Sequence, residues 1–183
     1  ASDVTPGTSM ELRQPLADGT HTWEVYAWDA VGNVTPSAPR SFFVDSTRPA
    51  QFILDTPHHL DCTTVPTPSF CVHRSSDASD LSYQLWVDGA VVATTPSTCT
   101  TPTVALAQGK HSWYVVATDK TGNSRQSSDT LDLFVDYAAP SAPALLSPAD
   151  GFATVDPPTF TWTAATDLVG IQSYELFVDD NIE

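Results

Sequence analysis

Apolar and polar residues alternate with a period of two through much of the chain, which predicts strands with one buried face. His111, Trp113, Val115 and Ala117 alternate with Ser112, Tyr114, Val116 and Thr118. Tyr83, Leu85 and Val87 alternate with Gln84, Trp86 and Asp88 in the same way. Shorter stretches complete a set of seven expected strands within residues 48–138: Phe52-Ile53-Leu54, Phe70 with Val72, Ala90-Val91-Val92, Val104 with Leu106, and Leu131, Leu133 and Val135. Turn residues, among them Gly109 and the Asp119-x-x-Gly122-Asn123 run, separate them at the spacing of a small β-sandwich.

The pattern also recurs. His21-Thr22-Trp23 returns as His111-Ser112-Trp113, and Asp29-x-x-Gly32-Asn33 returns as Asp119-x-x-Gly122-Asn123, both at an offset of 90. Phe43-Val44-Asp45 matches Phe134-Val135-Asp136, and Ser82-Tyr83-x-Leu85-x-Val87-Asp88 matches Ser173-Tyr174-x-Leu176-x-Val178-Asp179, at an offset of 91. Such a repeat reads as one sandwich per period. Its phase gives three segments: residues 1–47 as the C-terminal half of a unit, 48–138 as a complete unit, and 139–183 as an N-terminal half.

The run Leu106-Ala-Gln-Gly109-Lys-His111-Ser-Trp113-Tyr-Val115-Val-Ala117-Thr-Asp119-Lys-Thr-Gly122-Asn123 resembles the sixth-strand signature of fibronectin type III and bacterial Ig-like tandem repeats of large secreted or cell-surface proteins. Pro158-Thr-Phe160-Thr-Trp162 and Ser173-Tyr174-Glu-Leu-Phe-Val-Asp179 resemble the second and third strands of the same repeats. His111 stands where the type III pattern has its corner tyrosine, a departure that favours the bacterial relatives. The resemblance implies an all-β fold of tandem seven-stranded Ig-like sandwiches. It implies little about function, because such modules serve as spacers, adhesins and sugar binders alike.

The two half units raise a physical difficulty. Trp23, Val25 and Val44 in the first, and Phe160, Trp162, Tyr174, Leu176 and Val178 in the last, are positions that a complete unit would bury. Each large apolar side chain left in water forgoes roughly 1.5–3 kcal/mol. Closure is therefore expected from flanking repeats of a longer array, from further copies docking head to tail, or from the two halves of one chain. The Pro-containing linkers Ser46-Thr-Arg-Pro49 and Tyr137-Ala-Ala-Pro140 disfavour the last.

Composition narrows the function. Lys+Arg 7 against Asp+Glu 22 gives a net charge of −15, which argues against nucleic-acid and anionic-membrane partners. No apolar run approaches a membrane span, and Ala1–Met10 lacks a signal-peptide profile, so any export signal is expected to have been removed or to lie elsewhere. No G-x-S-x-G, H-E-x-x-H or phosphate-binding glycine loop is present, and no enzymatic activity is expected. The expected role is a non-enzymatic repeat of an extracellular fibre, stalk or filament. An adhesin or carbohydrate-binding module, with polysaccharide as partner, is the alternative, and an inert spacer within an exported enzyme a third.

Five groups of residues are candidates for chemistry. Cys62 and Cys71 flank the Val65-Pro-Thr-Pro68 turn symmetrically and form the favoured disulfide; Cys71–Cys99, Cys62–Cys99 and three free thiols stay open. His58, His59, Asp61, Cys62, Cys71 and His73 match no structural-zinc spacing. The acidic turns at Asp29 and Asp119 and the linker acids Asp45 and Asp136 admit calcium between units, although Asp and Asn that bond their own turn account for the motif without it; no cofactor is otherwise expected. Asn33-Val34-Thr35 is a formal glycosylation sequon within that same turn. Finally, Tyr26, Trp28, Phe43, Trp86, Tyr114, Phe134 and Phe177 fall opposite the core-facing positions and form a candidate interaction face.

Overall fold

The computed structural model describes residues 5, 7–179 and 181–182. Among them every regular element is a strand. The centre of the chain folds as two sheets laid face to face. The smaller is ordered Cys99–Thr100, Phe70–Val72, Leu54–Thr56. The larger is ordered Asp61–Thr63, Leu131–Val135, Gly109–Thr118, Ser82–Val87, Ala90–Thr95, with Ser124–Gln126 also paired to Gly109–Thr118.

Period-two patterning sets the burial. Along Gly109–Thr118 and Ser82–Val87, buried and half-buried residues alternate strictly from His111 and Ser82 onward. Tyr83, Leu85, Val87, Trp113, Val115, Ala117, Leu133 and Val135 meet Phe52, Leu54, Phe70 and Val72 across the interior. Phe70 packs edge-on to Trp113 with ring centroids 4.9 Å apart, and Phe52 does the same to Tyr83 at 5.9 Å.

One expected strand moves. Residues 104–106 are not extended into a sheet; Cys99–Thr100 takes that place beside Phe70–Val72, while Leu106 is buried by a loop whose amide donates to the Pro66 carbonyl at 2.8 Å. Pro102 lacks the N–H that a ladder there would use.

The favoured cysteine pair is also corrected. Cys71 is bonded to Cys99, its direct cross-strand partner, and Cys62 is an exposed free thiol. The segment after Leu60 does not form a hairpin with Phe70–Val72. Asp61–Thr63 crosses to the larger sheet and runs parallel to Leu131–Val135, with Cys62 opposite Phe134. Pro66 and Pro68 remove two donors from any hairpin ladder, and Leu60 N and Asp136 N donate instead to Asp132 O and Thr63 O at 2.6 and 2.9 Å.

The flanking segments reproduce pairings of the central sandwich. Gly19–Trp23 pairs Arg40–Val44 as Gly109–Trp113 pairs Leu131–Val135, and Tyr26–Trp28 pairs Val34–Pro36 as Val116–Thr118 pairs Ser124–Gln126. Beyond residue 138, Leu145–Ser147 pairs Thr161–Trp162, and Phe177–Val178 pairs Asn181–Ile182. Even loop contacts recur: Ser75 N donates to the Tyr83 hydroxyl at 3.1 Å and Ala165 N to the Tyr174 hydroxyl at 2.7 Å.

Candidate functional site

Three carboxylates converge where the first segment enters the central sandwich. Asp45 ends the strand Arg40–Val44, Asp77 lies in the loop between Phe70–Val72 and Ser82–Val87, and Asp119 follows Gly109–Thr118 directly. One oxygen from each lies within 4.8 Å of the others. Asp119 is fixed by its own turn: Oδ1 accepts from Thr121 N and Asn123 N, both at 2.9 Å, and Oδ2 accepts from Asn123 Nδ2 at 2.8 Å. Burial raises its pKa, but these bonds from Asn123 and Thr121 outweigh it and hold the carboxyl below its ordinary value. Gly122, at φ 97°, supplies the left-handed residue that closes the turn.

Asn123 ties the turn to the neighbouring segment. Its Nδ2 also donates to the Asp45 carbonyl at 3.0 Å, and Thr121 Oγ1 donates to that carbonyl at 3.1 Å. Asp45 Oδ1 accepts from Thr47 N at 3.1 Å, but Oδ2 is buried with no hydrogen-bond partner, on a residue only 9% exposed. Asp77 is held through Oδ1 by Ser79 N at 3.0 Å and Ser79 Oγ at 3.2 Å. Among the described residues no lysine or arginine pairs with the trio: Lys120 goes to Asp80 and Lys110 to Asp132. Arg48 lines an adjoining cleft of about 540 Å³ together with Asp18, Asp45 and Asp77.

An unpartnered carboxylate oxygen out of water costs several kcal/mol unless a cation or a proton offsets it. Oxygens sharing one calcium ion at 2.3–2.6 Å lie up to roughly 5 Å apart, which fits this trio; waters from the cleft would fill out a shell of six to eight. Sequence reasoning named Asp45 and Asp119 here but missed Asp77. Its recurrence as Asp167, at the offset of 90, was the available signal. The histidines and cysteines of the zinc pattern do not gather: His58 faces Asp61, His59 faces Asp132, and His73 faces Asp55.

His111 occupies the corner position at the edge of the core. Nε2 lies 2.8 Å from the Ala107 carbonyl and Nδ1 2.6 Å from Asp88 Oδ2, so both ring nitrogens face acceptors. Burial lowers its pKa, yet the Ala107 and Asp88 contacts prevail and raise it above the ordinary histidine value. His21 repeats the first contact, 2.7 Å from the Ala17 carbonyl.

The aromatic face is only partly assembled. Trp86 and Tyr114 stack at 5.7 Å with planes 11° apart, both half-buried. Phe134 sits at the other end of the sheet, opposite Lys110 and Cys62. Tyr26, Trp28, Phe43 and Phe177 are exposed. The positions expected to await burial behave differently in the two flanks: Trp23 and Val25 are 50% and 55% exposed, Phe160 and Tyr174 are exposed, and Val44, Trp162, Leu176 and Val178 are half-buried.

The two facing sheets of the central unit define an Ig-like, fibronectin-III-like β-sandwich, a fold that typically carries no catalytic machinery. Residues 56–137 match the family model described as a Bacterial Ig-like domain. Among solved structures, the chain is similar to the fibronectin(III)-like modules of Clostridium thermocellum CbhA, at 17% identity and a TM-score of 0.45 over 66% of this chain and 64% of that one. It is similar also to dimeric latent PorU from Porphyromonas gingivalis, at 20% identity and a TM-score of 0.32 over 66% of this chain and 12% of that one. The chain therefore spans less than two thirds of either structure's length. No curated protein matches it. No helix among the described residues is long and apolar enough to cross a membrane.

Proposed function

We propose that this chain is a stretch of an extracellular, non-catalytic structural rod, in which Ig-like units follow one another and each junction is locked by a calcium ion. The observation that carries this reading is the buried, unpartnered Oδ2 of Asp45, set among Asp77 and Asp119 at the point where one segment passes into the next. Asn123 and Thr121 already grip the backbone of Asp45, so a cation there would join three elements: the linker, the loop at Asp77 and the turn at Asp119. In this reading residues 1–47 and 139–183 are halves of the same kind of unit. The Cys71–Cys99 bond supports an oxidising, extracytoplasmic setting.

Calorimetric titration of chelator-treated protein with CaCl₂ tests the proposal. One saturable site per chain is expected, lost in Asp77→Asn, with calcium at a hundredfold excess over Kd adding about 2.7 kcal/mol of stability. No binding at millimolar calcium overturns it. The second reading, an adhesive or polysaccharide-binding module, draws on Tyr26, Trp28 and Phe43, which are 51%, 68% and 47% exposed. Retention on immobilised polysaccharide that disappears in Trp28→Ala would favour it.

A further inference from the structure

We infer that His111 is a proton-operated latch: its charged ring ties the corner loop 101–108 to the turn at Asp88-Gly89, and loss of one proton releases that loop. The residue is 8% exposed, and both ring nitrogens face acceptors. Nδ1 lies 2.6 Å from Asp88 Oδ2 and Nε2 lies 2.8 Å from the Ala107 carbonyl. A carboxylate oxygen and a peptide carbonyl have no hydrogen to give, so each contact needs one on the ring. The imidazolium alone carries both. A neutral ring keeps one N–H and turns a lone pair toward the other acceptor.

Asp88 retains the remaining hydrogen, because it is charged and fixed by its own turn. Its Oδ1 accepts from Ser112 N and its amide donates to Ser112 O, both at 2.9 Å. Asp88 and Gly89, at φ 50° and 79°, form the two-residue connection between Ser82–Val87 and Ala90–Thr95. The Ala107 side is weaker. Among the described residues, two backbone contacts hold residues 104–108: Leu106 N to the Pro66 carbonyl at 2.8 Å, and the Ala107 carbonyl to His111. Losing the second leaves the buried Leu106 as the remaining anchor. Since Gly109 opposes Val135, this loop lies at the pole from which the chain leaves the sandwich.

No other charge substitutes for the ring. Asp88 is the one charged group in contact with it. Residues 101–108 and 64–69 carry no titratable side chain. On the neighbouring strand Leu133 stands opposite His111, while Asp132 pairs with Lys110 at 3.0 Å and Asp136 accepts from Ala138 N at 3.2 Å. Burial disfavours the charged ring, but the Ala107 and Asp88 contacts outweigh it and raise its pKa. The latch is therefore shut below the ring's titration and opens as pH rises through it. The contact between His21 and the Ala17 carbonyl, at 2.7 Å, shows that the ring-to-loop bond belongs to the repeat.

Native-state hydrogen exchange of the full chain at low urea, from about pH 5 to pH 9 and with each rate divided by its intrinsic value, tests the latch. Protection of the Leu106 amide is expected to fall roughly tenfold as the ring titrates, the effect of one hydrogen bond to a charged group. That fall should be insensitive to urea, the mark of local opening, and nitrogen NMR shifts of the ring should show both nitrogens protonated at the acid end. Asp88→Asn, which keeps a residue tolerant of positive φ, should move the Leu106 transition to lower pH. His111→Gln should abolish it. Leu106 protection that stays flat through the ring titration overturns the inference, as does a urea-dependent loss shared with the Val115 amide. A transition that persists in His111→Gln, or one unmoved in Asp88→Asn, overturns it equally.

Discussion

Replacing Cys71 and Cys99 together by serine tests the corrected disulfide and the packing around it. The bond joins residues 28 apart and closes the smaller sheet beside Phe70, a member of the core. In the chain-entropy description, a loop of that length restrains the unfolded state by about 3.6 kcal/mol. A Cys62–Cys71 bond would span nine residues and contribute only about 2.6 kcal/mol by the same relation. Against a domain stability of about 5–15 kcal/mol, loss of the longer loop is large, and the urea midpoint should fall by roughly 1–3 M. Cys62→Ser, at an exposed thiol, should leave the midpoint within the error of measurement. The assay is urea unfolding followed by tryptophan fluorescence, with proteolysis and mass mapping to identify the bridged peptides. A bridge between Cys62 and Cys71 would refute the reasoning, and so would a double variant as stable as the parent.

Asn123→Ala removes donors to Asp45 O, Asp119 Oδ2 and Thr121 Oγ1 at 3.0, 2.8 and 2.9 Å, and should cost about 2–4 kcal/mol in urea unfolding while exposing the Thr47 amide to faster hydrogen exchange. Unchanged exchange at Thr47 would show that the junction is held by something else. The His111 ring should titrate above the ordinary histidine range by NMR. Because its folded pKa is raised, its stabilising contribution is complete below about pH 6.5 and is lost as pH rises through the folded value; a ring titrating at or below the ordinary value contradicts this. Trp113→Ala should cost about 3–5 kcal/mol, whereas Trp23→Ala, measured in dilute solution, should cost a fraction of that, since the first ring is fully enclosed and the second half exposed. Equal losses would mean that the Trp23 edge is already covered.

Much of the fold was legible because period-two patterning and a repeat of about ninety residues are local signals. Tyr83, Leu85, Val87, Trp113, Val115 and Ala117 are buried as their alternation requires. The failures are non-local. Symmetry about a turn placed Cys62 opposite Cys71, but sequence spacing does not reveal that the chain changes sheets between Thr63 and Phe70. Val104 and Leu106 read as a strand because both are apolar and two apart; only Leu106 reaches the interior, and Val104 is 73% exposed. The candidate site was half visible. Asp45 and Asp119 were singled out by recurring motifs, whereas Asp77 sits in an irregular loop whose repeat partner is displaced by a one-residue insertion before Ser173.

The His111–Asp88 pair and the acidic trio lie at the two ends of Gly109–Thr118, one near each pole of the sandwich. A rod assembled from such units would alternate a proton-sensitive corner with a carboxylate-lined joint along its whole length. With such a joint empty, mutual repulsion among Asp45, Asp77 and Asp119 would slacken the passage from one segment to the next, and a cation held among them would draw the linker, the loop and the turn together.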